Sequence, residues 1–257
     1  MSAPPWPARW QALVRAMARV HGPRGQQQLI DWLAQPGPPR VLAFVNAHAM
    51  NCAAQDARFY EALSGADVLL RDGIGMALLM TLLNQRPGVN LNGTDLIPRI
   101  VQRHAGAPVA LFGTQQPWLG RAAQAVVRDL APGSPCVIAH GFLPTEDYVQ
   151  LARAHAPALI VLGMGMPRQE EVAQVLRARL TRPGLIVCGG AILDFLGARS
   201  VRAPRVLRRL GLEWAWRLAR EPRRLFRRYV VGNPVFIARA LRLAAVGLYQ
   251  LPSRGLP

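Results

Sequence analysis

The residues best suited to bind an anion lie in one arginine-rich segment in the last quarter of the chain. Eleven arginines fall between Arg199 and Arg228, against only Glu213 and Glu221. The chain contains no lysine, so every cation here is a planar guanidinium, which can hold a phosphate or carboxylate through two parallel N–H bonds. Nucleic acid, an anionic membrane surface and a phosphorylated small molecule all have the matching chemistry. A merely solvated basic surface is the alternative, which the density of arginines and the interleaved aromatic residues disfavour.

The end of this segment predicts a helix with a cationic arc and an apolar arc. Pro222 suits a first helical turn, so we expect two helices joined near Glu221. Helical spacing would place four arginines on one arc and four apolar residues on the other. These are Arg223, Arg224, Arg227 and Arg228, against Leu225, Phe226, Tyr229 and Val230.

A candidate general base, Asp72, lies in LLRDGIGMAL, where an apolar strand opens into a helix. Gly73 and Gly75 leave the backbone free to turn closely around a ligand. A carboxylate at this point could take a proton from a substrate. It could equally cap the helix, a common role worth about 1 kcal/mol, and the local sequence leaves both readings open.

Glycine-rich turns between strand and helix form a second group of candidates. In VLGMGMPRQEE, Gly163 and Gly165 permit close approach of a ligand, and Pro167 could open a helix whose N–H groups face a phosphate. A dinucleotide fingerprint is incomplete here, because Arg168 stands where its third glycine would be. A tight turn without a ligand is the alternative. GTQQPWLGRAAQ, with Gly113, is a weaker turn of the same kind.

These candidates must be positioned by short apolar strands that alternate with amphipathic helices. The strand-like runs are VLAFVN from Val41, ADVLL from Ala66, PVALFG from Pro108, CVIA from Cys136, ALIVLG from Ala158 and LIVCGG from Leu185. Continuous apolar strands separated by helices predict an α/β fold, a Rossmann-like parallel sheet with helices on both faces.

In such a sheet, ligands bind beyond the carboxyl ends of the strands. The polar and glycine residues that follow the apolar runs are therefore the candidate ligand contacts. They are Asn46, His48, Arg71, Asp72, Gly113, Thr114, His140, Gly141, residues 163–169 and residues 189–194. We expect Gly113, Gly163, Gly165, Gln169 and Gly189 to contact the substrate.

Size and charge distribution suggest a catalytic body with an appendage. At 257 residues and 51% hydrophobic content the chain can bury a sizeable core, while much of its net charge of +17 lies in the arginine-rich segment. We expect a body over residues 1–198 and a basic helical appendage over 199–257. The final segment PVFIARALRLAAVGLYQL is interrupted by Arg239 and Arg242, which indicates a helix that packs on the body or lies in an interface.

Other features bear on compartment and cofactors. Three widely spaced cysteines in apolar surroundings predict buried free thiols and a reducing compartment. No signal peptide or membrane-spanning run is evident, so we expect a cytoplasmic protein. No cluster of His, Cys or carboxylates has metal-ligand spacing, and we expect neither a metal nor another cofactor. Asp95 in NGTDLIPRI is expected to cap a helix, and His104 and His155 to be packing or surface residues.

In order and spacing, the motifs resemble those of the WecG/TagA/CpsF glycosyltransferases over about residues 41–236. The motifs are FVNAHAMN, RDGIGMAL, NGTDLIPRI, LFGTQQP, HGFLPTEDYVQLARAHAPALIVLGMGMPRQE, GGAILDFLGARSVRAP and GLEWAWRLAREPRRLFRRY. The resemblance implies inverting, metal-independent transfer of a sugar in cell-surface polysaccharide synthesis. The donor implied is a UDP-sugar of the N-acetylmannosamine type or a glucose type. The acceptor implied is a sugar on a polyprenyl diphosphate, met at the inner face of the plasma membrane.

The resemblance also assigns roles to particular residues. It places the catalytic base on Asp72 and the family's asparagine of the first motif on Asn46. The arginines that complete the donor diphosphate site fall on Arg217, Arg224 and Arg227. One departure is a phenylalanine, Phe44, where the family commonly has threonine, which bears on donor or acceptor identity.

Two other functions compete with glycosyl transfer. A nucleic-acid-binding protein would use the basic segment as its phosphate grip, but that segment has no known base-reading motif and such a role needs no ligand-binding turns in the body. A nicotinamide-dependent oxidoreductase would need the glycine fingerprint that is incomplete here. We therefore expect peripheral association with an anionic membrane and no nucleic-acid partner, and the sequence leaves homo-oligomer formation open.

Overall fold

The computed structural model describes residues 4–182 and 184–245. Its six strands are β1 (Arg40–Val45), β2 (Val68–Arg71), β3 (Val109–Gly113), β4 (Cys136–Ala139), β5 (Leu159–Gly163) and β6 (Leu185–Cys188). The helices before β5 are α1 (Trp6–Ala16), α2 (Gly22–Leu33), α3 (Ala47–Gln55), α4 (Ala57–Ser64), α5 (Ile74–Leu82), α6 (Gly93–Arg103), α7 (Trp118–Ala125) and α8 (Thr145–His155). The later helices are α9 (Arg168–Arg179), α10 (Ile192–Leu196), α11 (Arg205–Arg209), α12 (Glu213–Arg220), α13 (Pro222–Phe226) and α14 (Gly232–Ala245).

The strands form one parallel sheet in the order β2-β1-β6-β5-β3-β4. All six predicted strands are confirmed. Alternate residues of each strand point to opposite faces, and both faces are covered by helices. Ala43 belongs to a buried cluster that includes residues of α1, α3, α4, α5, α8, α9 and α14. Its neighbour Leu42 belongs to a second cluster that includes residues of α2, α6, α7 and α10. Burial on both faces explains why the strands are continuous apolar runs.

The chain changes direction across the sheet between β3 and β5. From β3 the chain continues to β4 at the sheet edge, whereas from β5 it continues to β6 on the other side. Loops that leave neighbouring strands in opposite directions open a crevice beyond their carboxyl ends. The sheet order therefore locates a ligand site at this edge.

The arginine-rich segment folds as short helices followed by one long helical run. Helix α12 ends at Arg220 and α13 begins at Pro222, which confirms two helices joined near Glu221. A π-helical turn, Arg227–Val231, continues α13 into α14 without a break. Of the residues on the predicted apolar arc, Leu225 is buried, whereas Phe226 and Val230 are exposed.

The last described helix belongs to the core of the body. Phe236, Ala240 and Leu243 of α14 are buried in the cluster that covers one sheet face, and the Phe236 ring lies 5.4 Å from that of Trp10. The segment beginning at Pro234 thus packs on the body as far as Ala245, and its remainder lies outside the described residues. The boundary after residue 198 stays a prediction, since buried contacts cross it.

None of the helices in the described residues is long and apolar enough to cross a bilayer.

Candidate active site

A cavity of about 260 Å³ lies beyond the carboxyl ends of the strands. Every strand contributes to its wall through its last residue or the loop that follows. These contributions include Asn46 after β1, Asp72 after β2, Thr114 after β3, Gly141 after β4, Gly163 at the end of β5 and Gly189 after β6. Helices α12, α13 and the π turn supply Arg217, Arg224, Leu225 and Arg228. The body and the basic appendage therefore build the site together.

Asp72 lies in the wall of the cavity and not at the cap of a helix. The N-cap of α5 is Gly73, so the capping alternative for Asp72 is wrong. The Asn46 side chain donates from Nδ2 to Asp72 Oδ2 at 3.4 Å. Asn46 is itself the N-cap of α3, where its Oδ1 accepts from the Ala49 N–H at 3.0 Å. The cap thereby fixes the amide so that its N–H side faces the carboxylate.

The surroundings of Asp72 suit a group that exchanges a proton. Burial raises the pKa of Asp72 above its ordinary value of 3.8, while the hydrogen bond from Asn46 and the charges of Arg228 and Arg217 oppose that rise. A carboxylate with a raised pKa is a stronger base than one in water.

Four arginines line the cavity, and three of them lie over aromatic rings, Arg228 at 5.4 Å from the centroid of the Tyr229 ring. The Arg217 guanidinium lies 5.5 Å from the centroid of the Phe195 ring, and that of Arg199 lies 4.7 Å from the ring of Trp118. The fourth is Arg224. Against them the wall carries the carboxylates of Asp72 and Asp194, so cationic groups are in excess.

Two of these arginines have buried donors without acceptors. The Nε–H groups of Arg217 and Arg228 are buried and lack a hydrogen-bond partner within the described part of the chain. A buried donor left unpaired costs roughly 1–3 kcal/mol. Four guanidinium groups against two carboxylates also give the cavity an excess of positive charge. The cavity is therefore suited to a phosphate or diphosphate group.

Arg227, a predicted donor contact, is exposed and is not among the residues that line the cavity, whereas Arg228 is. Both residues lie in the π-helical turn, and both follow Arg224 at helical spacing, so the sequence pattern does not distinguish them. A π turn is not visible in the sequence pattern. Arg217 and Arg224, which were predicted to share one site, both line the cavity. Arg228 lines it in place of Arg227.

The glycine turns have different roles. Gly163, Gly165 and Gly189 line the cavity. Gly113 does not line it, because it faces Gly163 across the β3–β5 pair. A Cβ atom at Gly113 would lie 2.4 Å from the Gly163 carbonyl, so this glycine allows the two strand ends to approach. Gly165 has φ +80, a conformation that glycine adopts without strain.

Gln169, another predicted contact, lines the cavity from the first turn of α9, which begins just after Pro167 as expected. Its Oε1 accepts from the Gly190 N–H at 2.9 Å, and its Nε2 donates to Glu170 Oε1 at 2.8 Å. Glu170 is 1% exposed, and burial raises its pKa to about 7. This pair fixes the orientation of the Gln169 amide in the wall.

Phe44, the departure from the family pattern, also lines the cavity. Its side chain is almost fully buried and packs against Gly93 at the start of α6. The wall at this point is therefore an aromatic ring in place of a hydroxyl, which makes the site less polar near Asn46.

Several other candidates are structural. Asn92, and not Asp95, is the N-cap of α6, and the Asp95 carboxylate instead pairs with Arg202 and Arg208 of the appendage. His104 is buried, with its ring nitrogen 2.8 Å from the Ile100 carbonyl, which agrees with a packing role.

The three cysteines are free, but only Cys188 is fully buried, while Cys52 and Cys136 are half-buried. In the described ranges, 4–182 and 184–245, no group of three or more His, Cys, Asp or Glu residues could hold a metal ion.

Some residues of the cavity received no specific role from the sequence. Thr114 and Asp194 were expected near the site only because they follow strands, and Arg199 only as part of the basic segment. In the structure the Thr114 hydroxyl donates to Asp194 Oδ1 at 2.6 Å, and Arg199 Nη1 lies 3.4 Å from that oxygen. The contact between Thr114 and Asp194 joins residues 80 positions apart, and no local pattern reveals it.

Comparisons with known proteins show the family of this chain. The sequence profile of the glycosyl transferase WecG/TagA/CpsF family matches residues 16–247. Two similar proteins are both named N-acetylglucosaminyldiphosphoundecaprenol N-acetyl-beta-D-mannosaminyltransferase. The one from Staphylococcus aureus (strain MRSA252) is 28% identical over 204 residues, which cover 77% of this chain and 79% of the relative. The one from Bacillus subtilis (strain 168) is 27% identical over 192 residues, which cover 71% of this chain and 72% of the relative. Because the profile spans nearly the whole chain, this protein belongs to the WecG/TagA/CpsF family of glycosyl transferases.

Proposed function

We propose that the protein transfers a hexose of the N-acetylmannosamine type from a UDP-sugar to a glycan on a polyprenyl diphosphate, with inversion at the anomeric carbon. The observation that carries this proposal is one cavity lined both by a carboxylate of raised pKa and by four arginines, which outnumber its two carboxylates. A base and an anion site so arranged are the two parts that glycosyl transfer from a nucleotide sugar requires.

In this reaction Asp72 takes the proton of the acceptor hydroxyl. The hydroxyl oxygen forms a bond to the anomeric carbon from the face opposite the diphosphate, and the bond from that carbon to the diphosphate oxygen breaks. The nucleoside diphosphate leaves with the electron pair. Asn46 holds Asp72 in place through its amide N–H.

The negative charge that develops on the leaving group falls among the cavity arginines. Arg217, Arg224 and Arg228 all line the cavity. Preorganised donors of this kind stabilise a transition state by a few kcal/mol each. We infer that they replace a metal ion in this role. The predicted donor contacts Gly163, Gly165, Gln169 and Gly189 line the same cavity.

The nature of the substrates is supported by the relatives. Their printed name describes N-acetylmannosamine transfer to N-acetylglucosaminyldiphosphoundecaprenol. We assign this chain the same classes of donor and acceptor. A glucose-type donor is the second candidate, because the Phe44 ring in the wall stands where the family commonly has threonine.

A membrane surface is the proposed place of action, because the acceptor is a lipid. Exposed apolar side chains occur on neighbouring elements: Ile74 and Leu78 on α5, Val206 on α11, Leu210 and Leu212 in the loop that follows, Phe226 at the end of α13, and Val235, Ile237 and Leu241 on α14. Exposed arginines outside the cavity accompany them, among them Arg205, Arg209, Arg220, Arg223 and Arg227. Apolar groups mixed with cations are typical of surfaces that bind anionic bilayers.

A product assay tests the proposed function. The protein is incubated with a panel of UDP-sugars and an N-acetylglucosamine-diphosphate-polyprenol acceptor, and the lipid product is weighed by mass spectrometry. We expect a gain in mass of one N-acetylhexosamine with UDP-N-acetylmannosamine. Two results would together reverse the assignment. The first is that no UDP-sugar gives a product. The second is thermal stabilisation by NAD, which would favour an oxidoreductase, or tight salt-dependent binding of DNA, which would favour a nucleic-acid-binding protein.

A further inference from the structure

A second carboxylate, Asp194, lies in the cavity and has no part in the mechanism described above. It is 8% exposed and belongs to α10. Its Oδ1 accepts from the Thr114 hydroxyl at 2.6 Å and lies 3.4 Å from Arg199 Nη1, while its Oδ2 lies 3.9 Å from Arg224 Nη1. One carboxylate thus links strand β3 of the body to two arginines of the anion site.

The contacts of Asp194 continue into the appendage. Arg224 also pairs with Glu221, and Glu221 Oε1 accepts from the Ser200 hydroxyl at 3.0 Å. The Ser200 N–H in turn donates to the Asp194 main-chain oxygen at 3.1 Å. These contacts lead back to Asp194. Arg224 is therefore held by Asp194 of the body and by Glu221 of the appendage.

A negative charge beside a diphosphate is unfavourable on its own, because like charges repel in a partly buried site. Asp194 therefore needs a compensating role. A free arginine side chain loses rotamer entropy when it binds an anion, and a side chain already held in place loses less. Two arginines held by one carboxylate are such a preorganised pair.

We propose that Asp194 is a positioning residue that holds Arg199 and Arg224 in place for the donor diphosphate, an inference that rests on the proposed function. It does not touch the reacting atoms. The proposal has an unusual sign: although Asp194 carries negative charge in an anion site, its neutralisation should weaken binding of the anion.

The test is Asp194→Asn, which keeps the side-chain shape and can still accept from Thr114. The Oδ2 atom, which lies 3.9 Å from Arg224 Nη1, is replaced by an amide N–H group. This group cannot accept from a guanidinium, so Arg224 is released. We expect the Kd for UDP, measured by calorimetry, to rise about tenfold. The KM for the donor should rise in parallel, while the KM for the lipid acceptor stays unchanged. A general loss of structure would not produce this split.

Asp95→Asn is the matched control, because Asp95 also pairs with appendage arginines but does not line the cavity. We expect it to keep the wild-type Kd within twofold. If Asp194→Asn binds UDP as well as or better than wild type, the inference is wrong. An equal loss in both variants would also overturn it, since appendage docking would then explain the effect. A wild-type protein that bound no UDP would instead overturn the proposed function, and the inference with it.

Discussion

Asn46 performs two functions with one side-chain amide. Its oxygen caps α3 and its nitrogen donates to Asp72, so the start of the helix and the orientation of the proposed base are coupled. Asn92 makes the same pair of contacts at the start of α6, accepting from the Asp95 N–H at 2.9 Å and donating to its carboxylate at 2.8 Å. Only Asn46 lies in the cavity wall, which makes the two asparagines a natural comparison.

Asn46→Asp should shift the pH dependence of the reaction. The cap acceptor is retained, but the donor to Asp72 is replaced by a second carboxylate, which raises the pKa of Asp72 further. Because the base acts when deprotonated, activity falls as the pH drops through this pKa. We expect the acidic limb of the kcat/KM profile to move to higher pH by about one unit or more. Asn92→Asp serves as the control, and an equal shift in both variants would argue against the role of Asn46.

At the scale of elements, the first turn of α9 contains a carboxyl group that destabilises the fold when charged. Glu170 is buried, its Oε2 has no partner within the described residues, and its pKa is raised from 4.5 to about 7. Below about pH 4.5 the group is protonated in both the folded and the unfolded chain. As the pH rises towards 7 the unfolded chain ionises first, so the stability of the fold decreases over this window.

Glu170→Gln removes this pH dependence. The variant should be more stable than wild type above pH 7, by on the order of 2 kcal/mol, and the difference should vanish near pH 4. Thermal unfolding followed across this range measures it. Glu171→Gln, one residue later and exposed, is the matched control. A wild type whose stability did not fall between pH 4.5 and 7 would show that Glu170 is not buried as a neutral acid.

The elements themselves were largely predictable, because each apolar run is bounded by loop residues and each face of a parallel sheet is buried. The turn after β5 and the joint at Pro222 were likewise predictable from Gly165 and proline chemistry. The exchange of Arg227 for Arg228 was not predictable, because both residues follow Arg224 at helical spacing. The Thr114–Asp194 contact was not predictable either, because it depends on the order of the strands in the sheet.

Over the whole molecule, the arginine-rich segment has two populations of side chains. Arg217, Arg224 and Arg228 line the cavity, whereas others, such as Arg223 and Arg227, are exposed. In the proposed function, the first population binds the diphosphate of the donor. The second population binds an anionic membrane surface. The same helices therefore connect the site of chemistry with the lipid that carries the acceptor.

The exposed apolar residues give this membrane proposal a direct test. Phe226 is 53% exposed among these arginines, and Phe226→Ser should weaken binding to vesicles that contain anionic lipid severalfold, because apolar area buried in the interface is lost. Val127→Ser, at an exposed apolar residue on another part of the body, is the control. Sedimentation with vesicles at several salt concentrations measures both. Equal binding by the two variants and wild type would remove Phe226 from the proposed surface.

The most direct test of the account is the turnover of Asp72→Asn with a UDP-sugar and the lipid-linked acceptor, measured together with the Kd for UDP. The amide keeps the shape of the wall but cannot take a proton. We expect kcat to fall by a factor on the order of a hundred or more, while the Kd for UDP stays within about threefold of wild type. Near wild-type turnover in this variant would contradict the assignment of Asp72 as the base.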